Sequence, residues 1–87
     1  MEGKETETRI AVIGIIIEMP DAASQVNEIL HRYGSYIIGR MGLPYPSRRI
    51  NIISVALDAP EAVISALAER LDAINHVRAS VAYSDAE

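Results

Sequence analysis

From Arg9 to Glu18 the chain reads RIAVIGIIIE, apolar and β-branched at odd and even positions alike. A strand with one wet face alternates apolar with polar, so apolar residues at both parities predict a strand covered on both sides. The period then changes. In DAASQVNEILHRYG, Ala22, Val26, Ile29, Leu30 and Tyr33 fall on one helical stripe, with Asp21 placed as a cap or first-turn acid and Gly34 as a stop. SYIIGRMG predicts a shorter, mixed strand and RINIISVALD a second strongly apolar one. LPYPS between them carries turn chemistry, and its two prolines are expected to exclude a ladder there. In APEAVISALAERLDAI, Val63, Ile64, Leu67, Leu71 and Ile74 share a face, and Asp58 and Glu61 have the spacing of a capping box. HVRASVAYS alternates: Val77, Ala79, Val81 and Tyr83 point one way, His76, Arg78 and Ser80 the other.

The order is β-α-β-β-α-β, and it contains an echo. IIIEMPDAA and VALDAPEAV, forty residues apart, both run from an apolar strand through an acid, a proline and a second acid into a helix. Two βαβ units related in this way predict an α+β, ferredoxin-like sandwich: an antiparallel sheet of order 4-1-3-2 with both helices on one face. The two strands richest in Ile and Val then become the central pair. Since the helices cover one face only, either Ile10, Val12 and Ile16 or Ala11, Ile13, Ile15 and Ile17 must look outward. A bare face of that kind seeks a partner, and closing it against a second copy fits an interface of roughly 800 Å² per subunit. A homo-oligomer, dimer or tetramer, is therefore expected. The same face could instead dock a heterologous protein, or be covered by the chain's own tail.

A chain of 87 residues supports one small domain. The expected boundaries are a polar tail over 1–8, the domain over 9–84 and a short tail over 85–87. No cysteine is present, which excludes disulfides, thiolate metal sites and a catalytic thiol, and fits a cytoplasmic setting. Twelve acids against eight bases give a net charge of −4 without any basic block, which argues against direct nucleic-acid binding. The polar start and the shortness of the longest apolar run argue against a signal peptide or a membrane span.

Candidate chemistry is sparse. The segment GRMGLPYPSRR, Gly39 to Arg49, brings arginines and a tyrosine to the end of the fold where strand one finishes and strand four starts. Arg40, Tyr45, Arg48 and His76 are the candidate ligand-binding residues there, with Arg49 and the free N–H groups of the first helix turn as further donors to a small anion. Glu18 and Asp21 weigh against a strong anion site, and turn geometry alone accounts for Gly39, Gly42, Pro44 and Pro46. His31 and His76 are expected at opposite ends of the domain, so no metal site is predicted. No nucleophile-base spacing or phosphate loop is found, and no catalytic residue or cofactor is assigned. Met19 and Met41 are read as gap-fillers, and Tyr33 and Tyr83 as core.

AVIGIIIE, VNEILHRYG, IIGRMGLPY, INIISVALDAP and ISALAERL together resemble the small regulators of the iron-only hydrogenase system, over about residues 9 to 84. That family is similar, more remotely, to ACT domains and to the C-terminal domain of the nickel-responsive repressor. The resemblance implies a non-enzymatic regulatory module that assembles through its sheet and senses a small ligand. Nickel sensing does not carry over, because the histidines and cysteine it requires are missing.

Overall fold

The computed structural model describes residues 7–85, so residues 1–6 and 86–87 of the two expected tails lie outside the described residues. The elements follow in the order β1 (Arg9–Ile17), α1 (Ala23–Arg32), β2 (Ile37–Tyr45), β3 (Ile50–Ala59), α2 (Glu61–Asp72) and β4 (Val77–Tyr83). Short 3-10 turns at Pro20–Ala22, Gly34–Tyr36 and Pro46–Arg48 join them. The sheet is antiparallel with order β2-β3-β1-β4, which is the predicted 4-1-3-2 read from the other edge.

Parity decides the core. Ala11, Ile13, Ile15 and Ile17 of β1 are buried, as are Ile53, Val55, Leu57 and Ala59 of β3. Val26 and Leu30 of α1 and Ile64, Leu67 and Leu71 of α2 close over them. Each fully buried isoleucine or leucine contributes about 1.5–3 kcal/mol of transfer free energy. Ile29, Tyr33, Val63, Ile74, Ala79, Val81 and Tyr83 pack around this centre, partly exposed.

Three local expectations are corrected and one holds. The ladder between β2 and β3 continues through the prolines, with Pro44 opposite Asn51 and Tyr45 opposite Ile50. This is possible because β2 is an edge strand, where a proline can turn its missing N–H away from the neighbour. The Asp58–Glu61 capping box does not form: Pro60 holds the cap position in an extended conformation without a side-chain cap bond. Asp58 stays in β3, and Glu61 pairs instead with Arg9 at 3.2 Å. Gly34 does stand at the stop, directly after Tyr33, the C-cap of α1, and it opens the turn Gly34–Tyr36 without a positive φ. Met19 and Met41 fill no gap, being 44% and 67% exposed.

Candidate functional site

Residues directly opposite one another in a sheet share a face, so the register maps the side away from the helices. Across its middle runs the row Met41, Ser54, Gly14, Ser80, one residue from each strand. Towards one end lies Leu43, Ile52, Ile16, Arg78, and towards the other Gly39, Ala56, Val12, Ala82. Ile10, Val12, Ile16, Met41, Leu43 and Ile52 are all exposed here, from 36% to 67%. The structure thus selects the even-numbered set of β1 as the outward one. Asp58 and Arg78 are the only charged strand positions of this face among the described residues.

Gly14 sits at the centre of that face. A Cβ placed there would meet no atom within 4 Å, so nothing in the chain itself requires a glycine. Glycine inside a strand weakens it, and it often marks a place where another backbone or a ligand comes close. A depression of about 570 Å³ lies over it, bordered by Ile16, Ile52, Arg78 and Ser80 and reaching round β4 to Asp72.

The second feature lies between α1, β2 and the turn that follows β2. A β-bulge between Ile37 and Gly39 shifts the register of β2 and sets Arg40 opposite Val55, on the helix side of the sheet. Its Nη2 there donates to Asn27 Oδ1 at 2.6 Å. A cleft of about 260 Å³ opens beside this pair, lined also by Ile17, Leu43, Pro44 and Asn51. A neighbouring cleft of about 290 Å³ is lined by Pro20, Tyr45, Pro46, Arg49 and Ile50, and shares Pro44 and Asn51 with the first. Two arginines and no acid face the pair of clefts, which is a local reversal of the chain's net charge of −4.

Of the four residues singled out from sequence, Arg40 and Tyr45 line these adjoining clefts, one each, while Arg48 and His76 line neither. Arg49, the further donor expected beside Arg48, lines the second cleft, and its backbone is left-handed, φ 59°. His76 is at the expected end, where its carbonyl accepts the Glu18 N–H at 2.7 Å, but β3 and β1 separate it from β2, about 14 Å at ordinary strand spacing. It too has positive φ, 69°, a conformation uncommon outside glycine. Asn27 and Asn51 were missed, since an asparagine on a helix or at a strand end carries no sequence signal of a site. No group of three or more metal-ligating side chains occurs among the described residues, and none of their helices is long and apolar enough to cross a membrane.

A βαββαβ sandwich with one open apolar face defines an α+β, ferredoxin-like module. Residues 9–81 match the profile of the TM1266-like family, described as "Iron-only hydrogenase system regulator, putative", and the chain belongs to that family. A solved structure of the uncharacterized protein TM1266 from Thermotoga maritima is similar at 31% identity and a TM-score of 0.85, over 88% of this chain and 98% of that one. Comparison with curated proteins gave no match.

Proposed function

We propose that this chain is a non-enzymatic, cytoplasmic regulatory module of an iron-only hydrogenase system that works as a homo-oligomer joined through the open face of its sheet. The observation that carries this reading is the set of exposed aliphatic side chains of β1, β2 and β3 with no helix over them. In plan the face measures on the order of 500–600 Å² from ordinary strand dimensions, close to the roughly 800 Å² of accessible surface that each subunit contributes to a standard interface. Charge on this face does not oppose a second copy as the occupant. Two molecules of net charge −4 repel, but this face offers one acid and one base and adds no net charge of its own to that repulsion.

Sedimentation of the purified chain over a range of concentrations tests the reading. The natural chain should run as a dimer or tetramer and Ile16→Lys as a monomer with an unchanged circular dichroism spectrum. A natural chain that stays monomeric at every concentration overturns it and shifts the face to a heterologous partner.

In the same reading the paired clefts hold a small ligand, with Arg40 and Tyr45 as its principal contacts and Arg49 beside them. A thermal-shift series with small organic acids, nucleotides and divalent metals tests this part. A ligand that raises the midpoint of the natural chain and not of Arg40→Ala supports it. A series with no shift at all removes ligand sensing and leaves the assembly reading standing.

A further inference from the structure

An edge strand exposes a row of backbone donors and acceptors that can pair with any extended chain. The two edges of this sheet are β2 and β4. The edge of β2 is blunted by Pro44, which has no N–H, and by its bulge. The edge of β4 is regular over seven residues, Val77–Tyr83, and here the chain uses a different device.

The ladder to β1 fixes which groups of β4 point outward. Glu18 N–H donates to the His76 carbonyl and Ser84 N–H to the Ile10 carbonyl, so the even-numbered residues of β4 bond to β1. The odd-numbered ones, Val77, Ala79, Val81 and Tyr83, direct their N–H and C=O to the outside. Two of these four donors are already taken by the end of α2 and the turn after it. Val77 N–H donates to the Ile74 carbonyl at 3.1 Å, and Ala79 N–H donates to Asp72 Oδ1 at 2.9 Å. Asp72 is the last residue of α2.

The sequence of β4 is well matched to itself. Set antiparallel to a second copy about an axis at Ser80, Val77 meets Tyr83, Arg78 meets Ala82 and Ala79 meets Val81, so apolar residues pair on the helix side throughout. The Ala79–Val81 pairs flanking the axis would be the hydrogen-bonded ones, because their groups are the outward ones. Each needs the Ala79 N–H, the donor that Asp72 holds.

We propose that Asp72 is a latch that closes the β4 edge against the β4 strand of a second copy, and that releasing it lets two sheets join into one across a two-fold axis at Ser80. The proposal concerns the edge and stands independently of assembly through the open face. With the latch closed, growth of the sheet is blocked at both edges, and association is directed to the face.

The test uses amide exchange and mass together. In the natural chain the Ala79 amide should exchange about tenfold more slowly than that of Val81, as expected for one net hydrogen bond. In Asp72→Ala the particle mass should double relative to the natural chain, and Asp72→Asn, which keeps a carbonyl acceptor, should stay at the natural mass. The Ile16→Lys background separates edge from face: there Asp72→Ala should turn a monomer into a dimer, and adding Val81→Pro should return it to a monomer. Equal mass for Asp72→Ala and the natural chain, or doubling that survives Val81→Pro, overturns the proposal. Should Asp72→Ala fail to fold, the natural chain decides: an Ala79 amide exchanging as fast as that of Val81 means there is no latch.

Discussion

Arg9 joins three elements with one side chain. Its Nη1 lies 3.2 Å from Glu61 Oε1 in the first turn of α2, its guanidinium stacks 4.3 Å from the Tyr83 ring centre in β4, and its Nη2 donates to the Ser84 carbonyl. Glu61 is mostly exposed and Arg9 about one third exposed, so solvent screens the ion pair and the stacked contact carries more of the energy. Arg9→Ala is expected to lower stability by about 1 kcal/mol in urea denaturation, and Glu61→Gln by less than about half of that. Equal losses would mean that the ion pair, rather than the stacked ring, holds Arg9 in place. Gly14 calls for the opposite expectation. With open space over its Cα, Gly14→Ala should raise the melting point of the monomeric Ile16→Lys background, by an amount corresponding to about 0.5–1 kcal/mol. If two copies join through this face, the same change in the natural chain should weaken their association. At this scale the sequence was least informative: it brings Arg40 and Tyr45 to one end of the fold, but the bulge that turns Arg40 towards Asn27 and the left-handed Arg49 depend on how β2 meets β3, which no spacing in GRMGLPYPSRR encodes.

Among the elements, β1 carries the clearest contrast, because neighbouring isoleucines have opposite surroundings. Ile15 is fully buried under the helices, while Ile16 is 42% exposed on the open face. Ile15→Ala is expected to cost about 2–5 kcal/mol, enough to unfold a domain of this size. Ile16→Ala, compared with Ile16→Lys so that both are monomers, should change stability by less than about 1.5 kcal/mol. Chemical denaturation measures both, and similar losses would mean that the two faces are equally dry within one chain. The elements themselves were legible, since strand and helix periods do not overlap and the prolines at 20 and 60 fall at the start of corresponding helical segments. Which parity of β1 turns outward was not legible, because both sets are aliphatic. The apolar stripes of α1 and α2 settle it only when packed, by covering Ala11, Ile13, Ile15 and Ile17. The capping box failed for a related reason: the pattern fits Asp58 and Glu61, but the strand keeps Asp58 and Pro60 takes the cap.

For the whole molecule, the forty-residue echo was sufficient to order the sheet, because it pairs the two apolar strands at the centre and sends the diluted ones to the edges. The echo says nothing of what covers the second face. If two copies join there, the contact is apolar with few charges, and its response to salt follows. Self-association should persist in concentrated sodium chloride and strengthen in sulfate, as measured by light scattering. Dissociation by sodium chloride would point instead to an ionic contact through Arg78 and Asp58.

The register also fixes where attached polypeptide would go. Ala11 lies opposite Tyr83, and the Ser84 N–H reaches the Ile10 carbonyl at 2.9 Å, so the opening of the first strand and the close of the last emerge side by side. They do so at the pole of the sandwich opposite Pro20, Tyr45 and Arg49. A fluorescent or affinity domain tethered at either site would therefore project from that pole and leave the clefts unshadowed. For the same reason a short bridge between the two sites, with the chain reopened at the turn Pro46–Arg48, makes a circular permutant whose strands keep all their neighbours.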